Sequence, residues 1–263
     1  MKNITYFIIF IFLIGCKNNS EKKNSGHSVI NQSKNNNQKN IENGNQQIYW
    51  EGQINNKLPI IINYSLQENL VIGEITYLNT KNKMPIKLIG TIEDDKSFRL
   101  LEFDKSGNIS GIISGKTKDN EFNGTWFSPK SRKEYSFNLK KLKKQIKAVS
   151  NTINEKDIYG DYQYSYGKFA YSGELNIEKI DKNNIAFEIL SVGNGEAPSI
   201  AQIERDTIKL ENNSFVYKLS EIDDCEFKIT FYKSFVYVKY LKGNCDGQFG
   251  MNASIEGIFI KQE

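Results

Sequence analysis

Short runs of alternating apolar and polar residues follow one another along the chain between residues 47 and 263. Asn-, Asp-, Ser- and Gly-rich segments separate one run from the next. Alternation with a period of two places every second side chain on the same face of a strand, and such turn residues favour hairpins. The pattern therefore predicts an all-β fold made of antiparallel strands.

The first half of this region contains eight predicted strands, spaced by about a dozen residues as in an antiparallel meander. Closure of such a meander into a small barrel removes its exposed edges, whereas an open sandwich would have to protect them. Either arrangement fits the pattern. The predicted strands are residues 47–54, 58–65, 70–77, 84–92, 98–104, 109–116, 121–127 and 134–139.

The second half predicts a further β-domain over residues 157–263, in tandem with a first domain over residues 47–139. Between them, Leu142, Ile146, Val149 and Ile153 recur at helical spacing, which predicts an amphipathic linker helix over 140–156. The predicted strands of the second domain are residues 159–166, 170–179, 184–192, 199–204, 207–211, 214–219, 225–232, 234–241 and 252–260.

The N-terminus has the pattern of an exported lipoprotein. Lys2 precedes an apolar run over residues 4–14, which is shorter than the roughly 20 residues that a membrane-spanning helix needs. The run ends in the tetrad at residues 13–16, which resembles a bacterial lipobox and predicts lipidation of Cys16 after removal of residues 1–15. An ordinary signal peptide with an incidental cysteine is the alternative. Lys17 at the second mature position favours the outer membrane over the inner membrane.

Residues 17–46 are rich in Asn, Lys, Ser and Gln, with few large apolar side chains. Such a segment buries too little surface to offset its ordering entropy, so we expect a disordered tether between Cys16 and the folded part.

The formal net charge of +4 does not indicate a nucleic-acid partner. Residues 47–263 contain 29 basic and 29 acidic side chains, so the excess lies in the signal and tether. Within the folded part, the basic run over 140–147 is either a solvated surface, a contact with anionic lipid, or a docking surface for the acidic second half.

Histidine and cysteine usage excludes several classes of enzyme. The single histidine, His27, lies in the tether, so no histidine-based triad or zinc site is expected in the folded part. Cys225 and Cys245 would lie in an oxidising envelope and predict a disulfide. A redox pair is the alternative, but no C-x-x-C spacing is present. We expect neither a catalytic residue nor a metal or other cofactor.

Several segments resemble two-domain, β-rich lipoproteins that are common in Bacteroidota. The resemblance covers most of residues 47–263 and implies a lipid-anchored β-protein of the cell envelope, with no reaction attached to it. The layout is also loosely similar to that of membrane-bound lysozyme inhibitors, whose motifs are absent. The segments are residues 50–54, 85–92, 101–107, 124–127 and 247–257, together with Cys225 and Cys245.

Aromatic residues are the candidate binding residues. Trp50 and Trp126 lie near the two ends of the first domain and either line a barrel mouth or pack in the core. Tyr residues that alternate along a predicted strand pair either form an exposed face for a glycan or protein, or pack in a barrel wall. These tyrosines are Tyr162, Tyr164, Tyr166 and Tyr171.

Acidic residues offer two weaker candidates. Glu221, Asp223 and Asp224 are either a Ca²⁺ site or a solvated turn before Cys225. Paired carboxylates for glycoside hydrolysis would need a fixed separation that no sequence spacing reveals.

Taken together, the residues predict a lipid-anchored envelope protein that binds a protein, peptide or glycan without catalysis. Its expected partners are the membrane, through the lipid, and an envelope component. An inhibitor of a lysozyme-type cell-wall hydrolase is the first alternative, and a carboxylate-only hydrolase is the second.

Overall fold

The structure is a computed structural model that describes residues 47–143, 153–168, 170–195, 197–219, 225–243, 245 and 247–263. The predicted signal peptide, the lipidation site Cys16, the tether, and the acidic residues 221, 223 and 224 lie outside these ranges.

The first eight strands form a closed antiparallel barrel in simple chain order, with β1 pairing β8. Each strand pairs with its sequence neighbours, so the predicted meander is confirmed, and of the two arrangements that the sequence left open the structure has the closed barrel. The strands are β1 (Ile48–Ile54), β2 (Leu58–Gln67), β3 (Leu70–Tyr77), β4 (Ile86–Ile92), β5 (Ser97–Phe103), β6 (Ile109–Lys118), β7 (Glu121–Ser128) and β8 (Lys133–Leu142).

Large side chains fill the interior of this barrel. The rings of Phe98, Phe122 and Phe137 lie in succession with 5.0 Å between neighbouring centroids, and aliphatic side chains surround them. An eight-stranded barrel is just wide enough for its own side chains. The lumen is therefore a packed core rather than a ligand cavity.

The last eight strands form a second antiparallel sheet, in the order β12-β11-β10-β9-β16-β15-β14-β13. The first and last of these strands, β9 and β16, pair in the middle of the sheet. Its two edge strands are β12 and β13, and the gap between them is called the seam. The strands are β9 (Gly160–Ser165), β10 (Ser172–Lys179), β11 (Asn184–Val192), β12 (Ile200–Lys209), β13 (Ser214–Lys218), β14 (Glu226–Phe231), β15 (Phe235–Lys242) and β16 (Gly257–Lys261).

Side-chain contacts bridge this seam although no backbone ladder does. The Tyr217 hydroxyl on β13 donates to the Asp206 carboxylate on β12 over 2.8 Å. Inside, the Phe187 ring lies 4.9 Å from Phe215 and 5.0 Å from Tyr217 between centroids. The sheet therefore curls into a barrel-like form around an aromatic core, and the predicted tandem of two β-units is confirmed.

Two sequence predictions differ from the structure in this half. Residues 199–204 and 207–211 belong to the single strand β12, because β12 accommodates one extra residue as a bulge between Ile203 and Asp206 and its pairing with β11 resumes beyond it. The last strand begins at Gly257 rather than at residue 252.

The prediction of a linker helix over 140–156 is wrong for its first residues. Strand β8 continues to Leu142, because Lys140, Lys141 and Leu142 pair with β1 and complete the barrel. A helix, α1, is present at Glu155–Ile158, and residues 144–152 lie outside the described ranges. No helix in the described chain is long and apolar enough to cross a membrane.

The two sheets form one compact unit through an apolar junction. On the first barrel, some outward-facing positions of β3 to β6 are apolar, and these side chains join the core cluster of the second sheet. Full burial of such a side chain contributes about 1.5–3 kcal/mol. The buried residues that the first barrel gives to this cluster are Leu70, Ile89, Phe103 and Ile109.

Backbone contacts at the β5–β6 turn set the register of this junction. The Gly107 carbonyl accepts a hydrogen bond from the Ser165 amide over 3.1 Å, and Gln163 Nε2 donates to the Ser106 carbonyl over 2.8 Å. Gly107 has φ +76°, and a Cβ added there would lie 2.4 Å from the Gln163 carbonyl oxygen. The turn can approach β9 this closely only because residue 107 lacks a side chain.

We expect Gly107→Ala to lower the free energy of unfolding by about 1–3 kcal/mol more than Gly247→Ala does. Gly247 has a similar φ of +82° but nothing within 4 Å of its added Cβ, so it reports the backbone strain alone. Urea denaturation of both variants measures the difference. Equal losses would show that the close approach of Gly107 to Gln163 does not stabilise the junction.

Candidate functional site

A groove opens where one end of the second sheet meets the outer face of β5 and β6. Its volume is about 400 Å³. Three loops of the second sheet contribute to it: the β9–β10 loop, the β11–β12 loop and the β15–β16 loop. Clefts of this size at domain junctions, lined mainly by apolar and aromatic groups, are the usual position for ligand sites.

Three tyrosines form the aromatic wall of the groove. Tyr164 is 9% exposed, whereas Tyr171 is 40% exposed at the rim, with Tyr166 between them. Neighbouring rings meet edge to face: Tyr164 and Tyr166 at 6.1 Å and 84°, Tyr166 and Tyr171 at 6.4 Å and 77°. The structure thus brings three of the four predicted tyrosines together along one path from core to solvent.

A glycine positions the deepest of these rings. A Cβ added at Gly173 would lie 2.3 Å from Tyr164 Cε1, so only glycine lets the ring lie across β10. On its other side the ring packs edge-on against Phe259, with centroids 4.9 Å apart. Burial raises the pKa of the Tyr164 phenol, and the nearby Ser191 hydroxyl partly offsets that rise.

Ser191 is the unusual polar group of the groove. It lies at an inward-facing position near the end of β11, where it pairs with Gly173, and it is 3% exposed. Its Oγ has no partner at hydrogen-bonding geometry. A buried hydroxyl without a partner is costly, so a ligand atom that bonded to it would be favoured.

Two opposite charges line the groove, one from each sheet. Arg99 comes from the outer face of β5, and Glu256 comes from the segment that precedes β16. Partial burial raises the pKa of the Glu256 carboxyl, although a hydrogen bond from the Tyr240 amide works against this rise. The remaining lining from the first barrel is apolar: Leu101, Ile109 and Ile112.

Hydrogen bonds hold the β15–β16 loop as a wall of the groove. The Tyr240 hydroxyl accepts from the Ile255 amide over 3.1 Å, and the Ser254 hydroxyl accepts from the Glu256 amide over 3.1 Å. The Gly250 amide donates to the Ile200 carbonyl over 3.0 Å. These bonds tie the loop to β15 and to the start of β12.

A disulfide between Cys225 and Cys245 anchors the same loop to the start of β14, as the sequence predicted. The two Cα atoms are 4.6 Å apart, and the closed loop spans 20 residues. In the chain-entropy model a loop of this length stabilises the fold by about 3 kcal/mol. The bridge therefore supports both the sheet and the groove wall.

Two of the predicted binding aromatics are core residues instead. Trp50 is 3% exposed inside the first barrel, where its Nε1 donates to the Tyr64 hydroxyl over 3.3 Å. Tyr162 is 1% exposed, and its hydroxyl donates to the carbonyls of Asp157 and Ile158, each over 2.7 Å. Neither ring lines the groove.

Trp126 lies within the first barrel beside a buried carboxylate. Its Nε1 donates to Glu102 Oε2 over 3.2 Å, and its ring stacks against Tyr135 with centroids 6.3 Å apart. Glu102 is 3% exposed and also accepts from the Tyr77 hydroxyl over 2.9 Å and the Ser110 hydroxyl over 2.8 Å. Burial and the neighbouring carboxylate raise the pKa of Tyr77. Both oxygens of Glu102 are thus engaged in a structural network.

A second, polar cleft of about 540 Å³ lies on the outer face of β9 to β12. Asp161, Glu174 and Glu188 line it, and Asn176 Nδ2 donates to Asp161 over 2.7 Å. Such a surface is well solvated and offers little apolar area to a ligand. Within the described ranges, no cluster of three or more His, Cys, Asp or Glu side chains could hold a metal ion.

Sequence reasoning missed Ser191, Arg99 and Glu256. Ser191 had a readable signal, because it continues the inward alternation of Phe187 and Ile189 along β11, at a position where an apolar residue is expected. Arg99 and Glu256 had none, since each is an ordinary charged residue in a predicted strand.

No protein-family model matches the chain, and no similar curated protein or solved structure was found.

Reduction of the disulfide should loosen the groove wall as well as destabilise the sheet. We expect the double variant Cys225→Ser, Cys245→Ser to lose about 3 kcal/mol of unfolding free energy. Amide hydrogen exchange should rise over residues 247–256 before it rises in β3 or β4. Unchanged exchange over 247–256 in the folded variant would show that the hydrogen bonds alone hold the wall.

Proposed function

We propose that the protein is a lipid-anchored binding protein of the bacterial cell envelope, and that the groove between its two sheets is its ligand site. The observation that most supports this is the tyrosine wall, which runs from a buried ring to an exposed one beside an unpartnered hydroxyl. The lipobox-like tetrad supports the anchor and the envelope location. The outer membrane is the preferred site, as Lys17 indicates.

Binding without catalysis is favoured over glycoside hydrolysis. That reaction uses two carboxylates placed roughly 5 to 9.5 Å apart across the bond to be cleaved. Among the described residues that line the groove, Glu256 is the one acidic side chain. The buried Glu102 already accepts three hydrogen bonds inside the first barrel. We therefore place the inhibitor of a cell-wall hydrolase ahead of a hydrolase as the alternative.

Affinity capture tests the groove as the ligand site. Full-length protein, purified in mild detergent, serves as bait for solubilised envelope from its own source, with Tyr166→Ala, Tyr171→Ala as the groove variant. We expect saturable capture of a component by the wild type and at least a tenfold weaker capture by the variant, since each ring supplies a large contact area.

Tyr49→Ala is the matched control, because Tyr49 is a partly exposed tyrosine on β1, away from the groove. Equal capture by the groove variant and the wild type would refute the site. The captured fraction is also tested for hydrolase activity with and without added protein, and inhibition there would make the alternative the preferred function.

Lipidation is tested separately. Cys16→Ser should abolish metabolic incorporation of labelled palmitate and move the protein from the membrane fraction to the soluble fraction, because the acyl chains are the proposed anchor. Ser20→Ala lies outside the tetrad and should retain both the label and the fractionation. Continued labelling of Cys16→Ser would show that the tetrad is not a lipobox.

A further inference from the structure

We infer that the groove takes one aromatic side chain with a polar tip, tyrosine above all, presented by an extended peptide. The inference rests on the proposed function, because it names the ligand class of the same site. Ser191 Oγ is the group that would bond to the polar tip.

The apolar part of the lining selects against a sugar. Leu101, Ile112 and Ile258 offer no partner to a hydroxyl group. A saccharide ring would have to strip water from several hydroxyls against this surface, and each unpaired one costs free energy. An aromatic ring instead buries a large apolar area and needs a partner only at its tip.

The geometry of the tyrosine wall suits one more ring. Tyr164, Tyr166 and Tyr171 already meet edge to face in series, with centroids 6.1 Å and 6.4 Å apart. This is the preferred arrangement of aromatic pairs, because the positive edge of one ring meets the negative face of the next. A ligand ring in the groove would extend the same series.

A ligand atom that can form a hydrogen bond would be favoured at the deep end of the groove, beside Ser191. Ser191 is 3% exposed, and its Oγ has no partner at hydrogen-bonding geometry although the Tyr164 hydroxyl lies nearby. A serine hydroxyl both donates and accepts, and so does a phenol. A simple acyl chain or a phenylalanine ring would leave the hydroxyl without a partner.

The rim matches a peptide backbone of no net charge. Arg99 from the first barrel can donate to a carbonyl oxygen, and Glu256 from the second sheet can accept from an amide N–H. A polyanion would be repelled by Glu256 and a polycation by Arg99. The opposite charges therefore favour a neutral chain that crosses between them.

The test uses the full-length protein in detergent and three blocked pentapeptides, Gly-Gly-X-Gly-Gly, in which X is Tyr, Phe or Leu. Tri-N-acetylglucosamine is the saccharide probe. Dissociation constants come from titration monitored by ¹⁵N–¹H NMR. We expect the Tyr peptide to bind about fivefold more tightly than the Phe peptide, as one net hydrogen bond provides, and the Leu peptide to bind most weakly.

Ser191→Ala should make the Tyr and Phe peptides bind equally, and Ser136→Ala, an exposed serine on β8, should keep the Tyr preference. Equal binding of Tyr and Phe by the wild type would overturn the inference, and so would tighter binding of the saccharide. A Tyr preference that survives Ser191→Ala would overturn the role of Ser191. The Tyr and Phe comparison in the wild type needs no variant to fold.

The two proposals fail separately. If no pentapeptide binds while capture from the envelope still depends on Tyr166 and Tyr171, the ligand class is wrong and the binding site stands. If neither is observed, both proposals fail.

Discussion

The packing of one barrel wall against the second sheet is the contact on which the rest of the structure depends. Ile89 is fully buried although it points away from the lumen of its own barrel, and Phe103 and Ile109 do the same. Without the second sheet these side chains would form an exposed apolar patch of the kind that causes association. With the second sheet in place they form a joint core. The groove lies at the edge of this core, and residues from both sheets line it.

The filled interiors explain why the candidate site lies at this junction. The described side chains of both barrel-like sheets fill their interiors with closely packed aromatic rings, which leaves no lumen for a ligand there. Loops at one end of the second sheet then become the available binding surface, supported by a rigid scaffold below them. The disulfide, the Tyr240 hydroxyl and the Gly250 amide all restrain the longest of these loops.

The strand positions could be predicted because alternation is a local property of the chain. Strand β4 shows a residue whose burial alternation alone does not explain. Ile86 and Leu88 face the lumen as expected, whereas Ile89 is apolar on the outer face, and the second sheet that explains it is remote in sequence. The site divides in the same way. Tyr164, Tyr166 and Tyr171 are close in sequence and were predicted, but strand pairing within the second sheet brings Ser191 and Glu256 to them, and the junction between the sheets brings Arg99.

The strand order of the second sheet has a consequence for how the protein acquires its structure after synthesis. The central pair, β9 and β16, brings together residues such as Gln163 and Gln262, whose side chains bond across a sequence separation of 99. Contacts of such high sequence separation close a long loop and form slowly. During folding, the edge of β9 therefore stays unpaired until β16 has been synthesised and pairs with it.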